Sequence, residues 1–172
     1  MNKLTCDSNP ILKKLFFDLE KAQMEGGQID FIMMEGDTLR AIIDGIDKAF
    51  GPLANEIVCD VGKNAGKDYG ARLIEKGVKP EEVPDWLSEF FTYCGWGRIH
   101  FQDAHEKKEV IISVENCVTA RNAKSEQPLC HFMEGYFSGV YEAVWNYVPD
   151  CTEVLCTAKG DPFCEFKVFK AI

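Results

Sequence analysis

The chain is expected to fold as α+β, with one antiparallel sheet of hairpins covered by helices. Three observations predict this. Segments with apolar residues at helical spacing are interspersed with short strand-like runs, some of period two. Two pairs of these runs, residues 98–101 with 110–115 and about 152–158 with 163–169, are joined closely enough for hairpins, which imply antiparallel pairing. A length of 172 residues, with 46% hydrophobic and 27% charged residues, suits one soluble domain able to bury a real core.

Taken in order, residues 10–25 set Ile11, Leu12, Leu15, Phe16, Leu19 and Ala22 at helical spacing after Asn9-Pro10, so an amphipathic helix is expected, ended by Gly26-Gly27. Residues 28–34 read as a strand. A helix over 38–50 follows, with Leu39, Ile42, Ile43 and Ile46 on its apolar side and Asp37 as N-cap, and Gly51-Pro52 breaks it. The longest helix is expected over 54–76, with Gly77 at its C-terminus. Gly62, Gly66 and Gly70 recur every four residues on one face of it. Each costs about 1 kcal/mol of helix propensity, so something must lie close against that face: another helix, or a partner subunit or ligand.

A shorter helix over about 82–93 carries Trp86, Leu87, Phe90 and Phe91, and Cys94-Gly95-Trp96-Gly97 turns the chain into the first hairpin, whose polar tip holds His105. After an irregular stretch, Pro128 opens another helix in which Gly135 and Gly139 repeat the small-residue spacing, and Pro149 stops it. In the last hairpin Cys164, Phe166 and Val168 alternate with Phe163, Glu165, Lys167 and Phe169.

A formal charge of −9 with no dense Lys/Arg patch argues against direct nucleic-acid binding. No apolar run reaches the ~18 residues of a membrane span, and the N-terminus lacks the apolar core of a signal peptide. A cytoplasmic location is therefore expected. There the eight cysteines would be kept reduced, and burial or metal binding explains them better than disulfides.

The chemistry is concentrated in Glu153-Val-Leu-Cys156-Thr-Ala-Lys-Gly160-Asp-Pro-Phe-Cys164. Cys156 and Cys164 are equidistant from Gly160, so a hairpin turning on that glycine sets the thiols opposite each other. Cys130 and Glu153 are the candidates to complete a shell of four that zinc accepts. In a regular strand Glu153 and Cys156 point to opposite faces, so the carboxylate needs a bulge; Cys151 is a rival ligand and His131 an alternative one. Four protein ligands would make the metal structural. No nucleophile elbow, P-loop or dinucleotide fingerprint is present. The aromatic residues Phe90, Tyr93, Trp96, Phe101, Phe132, Phe137 and Tyr141 suit either core packing or an apolar small-molecule pocket.

Cys130-His-Phe-Met-Glu-Gly-Tyr-Phe-Ser-Gly-Val, followed by the Glu153–Val168 stretch, resembles the 4-vinyl reductase-like domain. This small-molecule-binding domain of prokaryotes occurs in sensors of aromatic-hydrocarbon-responsive transcription activators, in a protein linked to bacteriochlorophyll vinyl reduction, and in stand-alone archaeal hydrocarbon-binding proteins. The resemblance implies a zinc held by three cysteines and a glutamate, matched here by Cys130, Glu153, Cys156 and Cys164. It also implies a fold shared with vesicle-tethering subunits, and homodimerisation. Residues 1–27 are then an N-terminal helix, and residues 28–172 a 4-vinyl reductase-like domain with a C-terminal zinc hairpin. The expected function is binding or sensing of an apolar or aromatic small molecule. The alternative is an enzyme or accessory protein in tetrapyrrole vinyl-group reduction, for which no nicotinamide or flavin fingerprint is seen.

Overall fold

The computed structural model describes residues 12–26, 29–104 and 109–170. Cys6 and His105 lie outside the described residues. The chain begins with a three-stranded antiparallel sheet, β1 (Phe16–Asp18), β2 (Gln23–Gly26) and β3 (Ile29–Phe31). Three helices follow, α1 (Gly36–Phe50), α2 (Ala54–Glu75) and α3 (Val83–Cys94), then the hairpin β4 (Arg98–Ala104) and β5 (Glu109–Glu115), helix α4 (His131–Trp145), and the hairpin β6 (Asp150–Leu155) and β7 (Cys164–Phe169). The second sheet runs β4-β5-β7-β6, antiparallel throughout.

The helix expected over 10–25 is replaced by the β1–β2 hairpin. The Asp18 carboxylate accepts hydrogen bonds from the backbone N–H groups of Glu20 and Lys21, and Ala22 takes a positive φ of 52°, which together close a turn in the middle of the expected helix. The helical spacing misleads because Phe16 and Leu19, counted on a buried stripe, are 66% and 90% exposed. A short amphipathic helix gains most of its stability from packing such a stripe. Since β2 pairs with β3, this sheet spans the division expected at residue 27.

Helix α1 starts two residues earlier than expected, with Glu35 rather than Asp37 at its N-cap. None of its residues is buried, although Leu39, Ile42, Ile43 and Ile46 form an apolar stripe along it.

Helices α2 and α4 form the central pair, with backbones in near contact. A methyl group at Gly62, Gly66 or Gly70 would strike the α4 backbone at Phe132, Tyr136 or Val140. Reciprocally, Gly135 and Gly139 face the α2 backbone at Cys59 and Lys63. The glycines of each helix admit the other, and Lys63 and Lys67 of α2 bind Glu142 of α4 beside the contact.

The second sheet lies against α4. Strands β5 and β7 alternate strictly, burying Val110, Ile112 and Val114 beside Cys164, Phe166 and Val168. Phe137 of α4 packs edge-on against Phe166, and Phe91 of α3 stacks on Phe137, so sheet, α4 and α3 share one core. No described helix is long and apolar enough to cross a membrane.

Candidate metal centre and ligand cavity

Cys130, Glu153, Cys156 and Cys164 converge. One ligand atom from each lies within 4.8 Å of the others, and all four side chains are buried. The loop before α4 delivers Cys130, which sits at that helix's N-cap, with its Sγ 3.7 Å from Cys164 Sγ. The carboxylate depends on a break in β6: the β6–β7 register shifts between Glu153 and Leu155, so Val154 is turned out, 44% exposed, while Glu153 is turned in, 5% exposed. Leu155 then pairs with Glu165, which brings Cys156 and Cys164 to the mouth of the hairpin. Gly160 closes the loop with φ 101°, and the Asp161 carboxylate accepts from the Cys156 N–H at 2.8 Å.

The donor set fits a dication. Glu153 Oε2 accepts from the Cys130 N–H at 2.9 Å, while Oε1 is buried without a hydrogen-bond partner. A native fold rarely leaves such an oxygen without a cation or donor. Without a cation the groups contend for protons. Burial pushes the Glu153 carboxyl up to about 9, the hydrogen bond from Cys130 lowers Cys156 to about 6, and the neighbouring thiols hold Cys130 far above the usual thiol range. A divalent ion reverses this balance by making every nearby negative charge favourable.

Glu134 steadies the centre from α4. Its Oε1 accepts from the Glu153 N–H at 2.7 Å and its Oε2 pairs with His131 Nδ1 at 2.7 Å. His131 is thus turned to Glu134, and neither it nor Cys151 joins the convergent set.

Cys117 is the residue that sequence reasoning missed. It is fully buried, with its Sγ 3.7 Å from Cys130 Sγ and 3.1 Å from Thr119 Oγ1, so a fourth thiol borders the centre. The turn after β5, where Asn116 takes φ 53°, brings it there, and no metal-ligand spacing in the sequence marks it.

The aromatic residues divide. Phe137 and Tyr141 are buried, Phe137 against Phe91 and Phe166, and Tyr141 against Trp145. Trp96 stacks on Phe132, while Tyr93 and Phe101 are half-buried. Phe90 lines a cavity of about 290 Å³ between the N-terminal sheet and helices α2 and α3, together with Leu15, Phe31, Tyr69, Leu73 and Trp86. Half of this lining comes from segments that were not expected to form a wall.

Residues 110–170 match the 4-vinyl reductase domain, a span from β5 to the end of β7 that holds all four convergent ligands. The chain carries a 4-vinyl reductase domain. An uncharacterised protein of Methanocaldococcus jannaschii is 29% identical over 77% of this chain and 66% of its own length. A second from that organism is 28% identical over 61% of each. The chain thus spans about two-thirds or less of the curated relatives it matches.

Solved structures show the same fold. The phenol-responsive sensory domain of the transcription activator PoxR, with phenol, superposes with TM-score 0.76 at 15% identity, covering 97% of this chain and 90% of that one. Subunit 3 of the trafficking protein particle complex from Naegleria fowleri, covalently bound to palmitic acid, gives 0.62 at 14% identity over 80% and 93%. A vinyl-4-reductase family protein of Methanocaldococcus jannaschii gives 0.54 at 20% identity over 84% and 85%. This α+β ligand-binding fold houses 4-vinyl reductase domains and vesicle-tethering subunits alike.

Proposed function

We propose that this protein binds an apolar or aromatic small molecule in the cavity between the N-terminal sheet and helices α2 and α3, as the ligand-sensing part of a cytoplasmic, homodimeric protein. The observation that carries the reading is the cavity itself, walled by Phe31, Tyr69, Leu73, Trp86 and Phe90 within a fold that elsewhere senses phenol. Its size is near the lower end of small-molecule sites, which run from ~300 Å³ upward, and suits one ring with a short chain. A four-ring macrocycle is too large for it, which weighs against tetrapyrrole vinyl reduction here.

Zinc, held by Cys130, Glu153, Cys156 and Cys164, would tie the loop before α4 to the β6–β7 hairpin and leave no position for substrate. Its role is to hold the fold that carries the cavity.

Titration calorimetry with the neutral probes 4-phenylbutanol and 2-naphthol tests the function. Saturable one-to-one binding is expected, weakened about tenfold or more by Trp86→Ala with the fold intact. An absence of saturable binding for neutral and acidic aromatic probes alike would overturn the reading.

The exposed apolar stripe of α1, including Ile42 at 50% and the following Phe50 at 54%, supports the homodimer. Light scattering after size exclusion is expected to give twice the chain mass, and Ile42→Glu to halve it. A monomeric native protein at micromolar concentration counts against dimerisation.

A further inference from the structure

The cavity is apolar on its walls and cationic along one side. Beside the aromatic residues it is lined by Lys14, Arg72 and Lys76, with Glu89 as the one acid. On a chain with formal charge −9, three cations facing one anion is a local reversal of sign. Among the described residues none of the three cations lies within ion-pair distance of a carboxylate. Arg72 goes further, since its Nε is buried and makes no hydrogen bond. A guanidinium donor withdrawn from water needs an acceptor, and the fold supplies none.

We infer that the ligand is an amphiphilic carboxylate, its aryl or short alkyl body against Phe31, Trp86 and Phe90 and its carboxylate on the Arg72 guanidinium. The inference rests on the reading of this cavity as the ligand site. The fork of Nε and one Nη matches the two oxygens of a carboxylate, which brings one negative charge to one buried cation. Lys14 and Lys76, on flexible stems, add attraction for the anion. A phosphate ester, with nearly two charges and three strong acceptors, asks for more buried donors than this wall offers. A neutral ligand would leave Arg72 Nε as it stands, buried and unpaired.

The test compares twins that differ only at the head, 4-phenylbutyrate and 4-phenylbutanol, by calorimetry at neutral pH. The carboxylate is expected to bind about 10- to 100-fold more tightly, the range of a charge-assisted hydrogen bond. Arg72→Gln should bring the acid to the level of the alcohol without changing the affinity for the alcohol. If thermal melting shows Arg72→Gln unfolded, Arg72→Lys, which keeps the charge and loses the fork, takes its place and should lose most of the preference. Equal affinity of the twins for the native protein, or an undiminished preference in the folded variant, overturns the carboxylate inference and leaves the cavity a ligand site. Failure of both twins to bind overturns the cavity reading and this inference together.

Discussion

Gly66→Ala is expected to destabilise the protein by about 3 kcal/mol or more, and Gly66→Leu to abolish the folded state. The added methyl would overlap the Tyr136 carbonyl of α4, a backbone group that no rotamer change can move aside. Overpacking in cores costs typically about 1–3 kcal/mol, and here relief requires the helix pair to separate along its length. The gain in helix propensity on replacing glycine, about 1 kcal/mol, offsets only part of this. Gly45→Ala is the control: Gly45 lies within α1, and a methyl there meets nothing within 4 Å, so the same substitution should stabilise by about 0.5–1 kcal/mol. Urea unfolding of the two variants reads the contrast. A Gly66→Ala protein within about 0.5 kcal/mol of the parent would show that the two backbones are not in contact.

The glycine spacing was legible in the sequence because one cause, close approach of a neighbour, acts on residues four apart, while the identity of the neighbour required the fold. The second sheet was legible for a similar reason: β5 and β7 each bury one face, and period-two alternation records it directly. The N-terminal strands were not, because Phe16 and Leu19 are exposed, so their apolar character carries no information about which periodicity the chain adopts. The four convergent ligands could be named from residue type and hairpin symmetry, and even the need for a bulge before Cys156 follows from strand geometry. What could not be read was Cys117, delivered by a turn at Asn116 rather than by a spacing, and the cavity, whose walls come from three segments far apart in the chain. Arg72 looks like any solvated helix residue until the sheet is laid over it.

Chelation of the zinc-loaded protein is expected to lower its Tm by roughly 10 °C and to loosen the β6–β7 hairpin first. Removing one partner from a buried set of charges typically costs about 3–5 kcal/mol, and a domain of this size shifts by ~2–4 °C per kcal/mol. The loss should be local, because α2 and α4 are held by their own backbone contact, whereas Cys130, Cys156 and Cys164 join a loop and a hairpin that share little else. Hydrogen exchange after chelation should therefore rise along residues 150–169 before it rises in α2. The individual ligands can be separated at Glu153, whose two oxygens do different work. Glu153→Gln keeps an acceptor for the Cys130 N–H and removes the charge that Oε1 would present to the metal, so it should fold yet hold zinc weakly; Glu153→Ala loses both. Protons compete with the metal for thiolates, so release should set in on acidification rather than on raising the pH. One zinc per chain is expected in the parent, and Cys164→Ser should reduce it. A Cys164→Ser protein that retains a full zinc, or a Tm indifferent to chelator, would overturn the assignment of these four residues as a structural metal centre.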